Sequence, residues 1–168
     1  MQTDRDPVLQ QLRNAFPPTK IDAVGAFAAW GMTYADGEAY EEQLNGKRWD
    51  ELDRAYLDLR SDAIGFLGTA HLVAVLPAYL RELLDGGPFS QVPDILILTL
   101  TEPGPKIGSW LGKRRFDAMV NALTAPQRAA VAAVLVQFAR RYPETPHESA
   151  ARLALDTYWV QFLGGEQL

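Results

Sequence analysis

Apolar residues recur along most of the chain at the three- and four-residue spacing of helices, with no sustained strand-like alternation. Val8, Leu9, Leu12 and Phe16 predict a first helix over residues 7–16, capped by Asp6, with Pro7 at its first position and Pro17-Pro18 ending it. From Ile21 to Tyr34 glycines interrupt any period, and the stretch reads as irregular or weakly helical. Asp36 caps a short acidic helix to Leu44, Asn45-Gly46 makes a turn, and Trp49, Leu52, Ala55, Tyr56 and Leu59 line one face of the next helix. After Gly65 and Gly68, Thr69 opens a stronger helix to Asp85, with the stripe Leu72, Leu76, Tyr79, Leu80, Leu83 and Leu84. Pro77 lies inside it. A proline there removes a backbone donor and crowds the carbonyl of Val73, which predicts a kink or interruption.

Gly86-Gly87-Pro88 closes that element, and Ile95-Leu96-Ile97-Leu98 follows as either a short buried helix or a strand. With no second strand to pair with, a lone strand would leave its backbone unsatisfied, so residues 93–99 are expected to be helical. Glu102 to Gly112 reads as a loop, followed by a basic helix from Lys113 to Leu123. Thr124-Ala125-Pro126-Gln127 has capping-box form, and Thr145-Pro146-His147-Glu148 repeats it. The first opens a helix with Val131, Val134, Leu135 and Phe138. The second opens a final helix carrying Ala151, Leu155, Tyr158, Trp159 and Phe162 and ending at Gly164-Gly165. The short turn between them predicts an antiparallel pair. The expected fold is all-α: a single-domain bundle over residues 1–168, of seven or eight helices, the central one bent at a proline.

Composition supports this. The 168 residues are 48% hydrophobic and 22% charged, ordinary for one folded domain. Cysteine is absent, which excludes disulfides, thiol nucleophiles and thiolate metal sites. The beginning of the chain lacks a signal-peptide pattern and no apolar run approaches the length of a membrane span, so a cytoplasmic protein is expected. The net charge of −5 is concentrated: between Asp36 and Asp62 there are nine acids against four bases, and the remainder balances. Such a surface repels nucleic acid and anionic lipid and attracts cationic partners.

No catalytic motif emerges. Gly108 to Arg114 resembles a phosphate-binding loop but is one residue short between its glycines, and Arg114 stands where a hydroxyl must reach magnesium. Lys106, Lys113, Arg114 and Arg115 around Trp110 are expected to pair with the acids of residues 36–62 or to face water. His71 and His147 lack metal-ligand spacing, so neither a metal nor a cofactor is expected. Ser109 lacks a nucleophile elbow. Carboxylates at helical spacing, Asp50 with Asp53 or Glu38 with Glu41 and Glu42, could serve as an acid and base if buried together. The cleft between the bent helix and the 102–112 loop is the place for such a site. Trp49, Tyr79, Phe116 and Trp159 fall on apolar stripes and belong to the core, whereas Trp30 and Trp110 lie in glycine-rich stretches and are candidate exposed anchors.

Trp49-x-x-Leu52, Leu76-Pro77-Ala78-Tyr79-Leu80, and Arg115-Phe116 followed by Leu123-Thr124-x-x-Gln127 together resemble a family of small bacterial proteins classed as a domain of unknown function. The resemblance spans residues 45–138 and implies an α-helical bacterial domain without catalytic residues. By analogy, small acidic helical proteins of this kind serve as immunity proteins against a cognate toxin. The functional expectation is a protein-binding module that meets a cationic protein partner, a toxin among them, through Glu38, Glu41, Glu42, Asp50, Asp53, Trp30 and Trp110. A homo-oligomeric structural or regulatory module and an enzyme with an unrecognised carboxylate site are the alternatives.

Overall fold

A computed structural model describes residues 5–30, 35–86, 90–104 and 110–164, with the side chains of Arg5, Asp6 and Trp110 left out. Among the described residues there are eight α-helices and no strand, only an isolated bridge between Lys20 and Arg48. The helices are α1 (Arg5–Ala15), α2 (Gly37–Leu44), α3 (Arg54–Leu59), α4 (Thr69–Asp85), α5 (Val92–Leu100), α6 (Trp110–Ala122), α7 (Ala125–Arg141) and α8 (Pro146–Thr157). Short 3-10 helices at Trp49–Glu51, Ser61–Gly65 and Trp159–Phe162 complete the architecture. The all-α expectation holds, and Ile95 to Leu98 is helical.

Helices α4 and α7 form the centre. α4 packs against α1, α3, α5, α6 and α7, and α7 against α1, α4, α8 and the last 3-10 helix. All six residues of the predicted α4 stripe are buried, as are Val131, Val134, Leu135 and Phe138 of α7. α4 continues through Pro77 as one element, so the proline does not interrupt it. Its ring is buried, and the Val73 carbonyl simply has no backbone N–H four residues on.

The capping predictions divide instructively. At α7 the box is complete: Gln127 N–H donates to the Thr124 hydroxyl at 3.4 Å, and Thr124 N–H to the Gln127 side chain at 2.9 Å. At α8 the Thr145 hydroxyl accepts from Glu148 N–H at 3.2 Å, but the Glu148 carboxylate reaches Glu144 N–H instead, where the backbone takes a positive φ. α1 begins at Arg5, so Asp6 lies within its first turn rather than capping it. α4 is preceded by Gly68, which leaves Thr69 as its first helical residue. α6 starts at Trp110, three residues before the expected Lys113. The final element is two pieces, α8 and a 3-10 helix at Trp159–Phe162.

The largest departure lies between Trp49 and Leu59. The predicted single helix is broken into Trp49–Glu51 and α3, because the Asp53 side chain accepts from Tyr56 N–H at 2.8 Å and starts a new helix. The restart rotates the buried face. Leu57 becomes fully buried, while Leu59 is 70% exposed.

Arginine and tryptophan side chains bind the helices together through backbone carbonyls. Trp49 Nε1 donates to Phe16 O at 2.9 Å and Trp159 Nε1 to Leu100 O at 2.6 Å. Arg81 donates to the carbonyls of Asp50 and Leu52, Arg141 to that of Leu84, and Arg128 to that of Val120. Each contact satisfies an acceptor that a helix end or turn would otherwise leave open.

Candidate functional site

The acidic segment is built on a rigid base. Tyr40 and Leu44 of α2 are fully buried, and the Tyr40 ring meets Phe27 edge-on at 5.1 Å. Burial first, and then the neighbouring Tyr79 and Tyr56, holds the Tyr40 phenol well above the usual tyrosine range, so it stays neutral. Arg60, itself buried, donates to Asp36 at 3.1 Å and to Gln43 at 3.4 Å, clamping both ends of α2. The Tyr79 hydroxyl donates to the Arg60 carbonyl at 3.0 Å and fixes that clamp to α4.

On this base the acids have different fates. Asp50 forms two hydrogen bonds with Arg48, at 2.9 and 2.6 Å, which hold its carboxyl below the usual range. Asp53 caps α3. Asp58 lies 3.6 Å from Arg54 and accepts from the Ser90 hydroxyl at 2.5 Å. By contrast, the carboxylates of Glu38, Glu41 and Glu42 enter no ion pair or hydrogen bond among the described residues. Glu38 and Glu42 are exposed and Glu41 is half-buried. The five acids among the predicted contact residues therefore do not form one surface of equal standing: three carboxylates on α2 are open, and Asp50 and Asp53 already serve the fold.

Trp30 is not a free anchor. Its indole donates to the Leu67 carbonyl at 3.0 Å, and the guanidinium groups of Arg114 and Arg115 lie 5.9 and 5.8 Å from its ring centre. The Trp110 side chain lies outside the described residues. So do Gly108 and Ser109 of the segment that resembled a phosphate loop, whose remaining residues belong to the first turns of α6.

Of the cations around α6, Lys113 and Arg115 engage groups other than the acids of residues 36–62. Lys113 pairs with Glu102 at 3.0 Å and with Asp117 at 2.5 Å. Arg115 donates to the carbonyls of Ile64 and Gly65. Among the described residues no three metal-ligating side chains converge. His147 Nδ1 is 3.4 Å from an Asp94 oxygen.

A cavity of about 620 Å³ opens between α4, α5, α6 and α8. Trp30, Leu67, Leu72, Phe116 and Met119 wall it, and Thr101 to Gly104 border it. It adjoins the cleft expected between α4 and the 102–112 loop. The sequence reading missed its α5 and α8 walls, since Leu98 and Leu153 carry no signal that distinguishes them from ordinary helix positions. Glu102 is the carboxylate lining it among the described residues, and Lys113 neutralises it.

The buried carboxyl among the described residues is elsewhere. Glu82 on α4 is 4% exposed, and burial raises its pKa above the usual range against the opposing pull of Arg54, 3.2 Å away. No pair of carboxylates is buried together among the described residues, as acid and base chemistry on Asp50 with Asp53 or on α2 would need.

No protein-family model, no curated protein and no solved structure matches the chain. No single helix among the described residues is long and apolar enough to cross a membrane.

Proposed function

We propose that this chain is a binding protein of the immunity or inhibitor type, and that α2 presents Glu38, Glu41 and Glu42 to a cationic protein partner. One observation carries the reading: these carboxylates are left without internal counter-ions on a helix whose position is fixed by Tyr40, Leu44 and the Arg60 clamp. Charges held on a rigid support keep their field without an ordering cost on association, and that field accelerates encounter with an oppositely charged surface. A basic toxin is the partner chemistry that fits best. Asp50 and Asp53 support the surface by holding Arg48 and starting α3.

The test is affinity capture from the native host with the unaltered chain and with the triple variant Glu38→Lys, Glu41→Lys, Glu42→Lys. The reading expects a basic protein retained at low salt, released as ionic strength rises, and absent from the variant, whose melting temperature is unchanged. A partner held equally by both chains would overturn it.

A further inference from the structure

We propose that the cavity between α4, α5, α6 and α8 is a binding site for a small amphipathic molecule, its apolar tail among Leu72, Phe116 and Met119 and its anionic head at Arg115. This site is distinct from the α2 surface and does not depend on it.

The cavity volume of about 620 Å³ falls within the roughly 300–1,000 Å³ typical of small-molecule sites. Its walls are mainly apolar, and three of the threonine hydroxyls among them are already engaged. The Thr99 hydroxyl donates to Ile95 O at 2.9 Å, Thr101 to Ile97 O at 2.7 Å, and Thr157 to Leu153 O at 2.8 Å. These hydroxyls back-bond to their own chain and ask nothing of a ligand, so the tail region suits hydrocarbon. The rim continues the apolar surface outward: Leu98 is 75% exposed and Leu153 55%.

Arg115 is the exception. It lines the cavity, is half-buried, and donates to the carbonyls of Ile64 and Gly65, but no carboxylate pairs with it among the described residues. Desolvation lowers its pKa, with no acid to offset the loss. A guanidinium has five N–H donors in a planar fork suited to a carboxylate, and two neutral carbonyls do not balance its charge. An anionic head supplies the missing counter-charge and binds better at a partly desolvated cation than in water. Glu102, the acid on the same wall, is neutralised by Lys113 and does not repel such a head.

The experiment is isothermal titration calorimetry of the full chain with monomeric dodecanoate, dodecanol and dodecylammonium. The expected result is saturable 1:1 binding of dodecanoate, about tenfold tighter than dodecanol, with dodecylammonium weakest. Arg115→Met should remove the preference for acid over alcohol while keeping alcohol binding. Because Arg115 also ties α6 to the Ile64 and Gly65 carbonyls, Leu98→Glu offers a second arm at an exposed position that folding does not need. It places a negative charge at the rim and should weaken dodecanoate at least tenfold. Absence of binding, dodecylammonium binding as tight as dodecanoate, or insensitivity to Leu98→Glu would each overturn the proposal. So would a dimer in light scattering that Leu98→Glu dissociates, since a second copy would then cover the rim.

Discussion

The indole of Trp159 donates to the carbonyl of Leu100 at 2.6 Å, tying the 3-10 helix after α8 to the end of α5 across 59 residues of sequence. Both groups are fully buried. Phenylalanine at 159 would keep much of the packing against Phe116 and Tyr158 but leave the carbonyl without its donor. Trp159→Phe should therefore destabilise the fold by about 1–3 kcal/mol, the usual cost of an unsatisfied buried acceptor plus lost volume. Urea denaturation measures it, and an unchanged midpoint would show that the bond contributes nothing.

The rotation of the buried face in α3 gives a second expectation. Leu57→Ala, at a fully buried position, should cost about 2–5 kcal/mol. Leu59→Ser, at an exposed one, should stay within about 0.5 kcal/mol of the native chain. Thermal melts of the two variants side by side distinguish the broken helix from a continuous one, which would reverse the order.

Glu82 sets a pH dependence with a definite sign. Its folded carboxyl binds a proton more readily than the same group in the unfolded chain, so ionising it at neutral pH costs stability. That cost is present above the raised folded value and is relieved as pH falls towards the unfolded value of about 4.3. Glu82→Gln should thus be more stable than the native chain at pH 7, with the difference shrinking as the solution is acidified towards about pH 4 and levelling off below it. Chemical denaturation of both chains across that range checks it, and a constant difference would rule it out. Arg54, left without this partner, is half-exposed and still faces Asp58, so its own loss is small.

At the end of α4, a methyl group on Gly86 would sit 2.6 Å from the Glu82 carbonyl oxygen and 2.5 Å from its side-chain oxygen. The carboxylate can move; the carbonyl cannot without unwinding the last turn. Gly86→Ala should destabilise by about 1–3 kcal/mol despite the residue's ordinary φ of −69°. Differential scanning calorimetry would expose a neutral substitution.

The capping box of α7 predicts that Thr124→Ala lowers stability by about 0.5–2 kcal/mol, with Gln127→Ala costing less because the Thr124 hydroxyl still accepts from the backbone at that position. Equal effects from both would contradict the geometry.

The helices legible in the sequence are those whose start and stripe agree: α4 with its leucines, and α7 and α8 with their threonine caps. The reading of residues 49–59 failed because Trp49, Leu52, Tyr56 and Leu59 mimic a continuous period across a point where Asp53 begins the helix anew. Periodicity cannot register a phase break when the residues on either side happen to align. Trp30 was legible only in part: a glycine-rich neighbourhood suggested exposure, whereas the ring is half-buried and its hydrogen-bond partner, Leu67, lies 37 residues away. The acidic surface was legible as a charge count, whereas the division between open carboxylates on α2 and engaged ones beyond it depended on where Arg48, Arg54 and Arg60 fold. The cavity was only half foreseen, since its walls come from four helices distant in sequence.

The three described tryptophan side chains also make the protein its own spectroscopic reporter. Each indole nitrogen is held by a backbone carbonyl in a different part of the fold: Trp49 near the end of α1, Trp159 beside α5, and Trp30 in the cavity wall. Their emission should not respond alike. A molecule entering the cavity perturbs Trp30 and leaves the other two dark to the event, while loss of the core shifts all three to the red together.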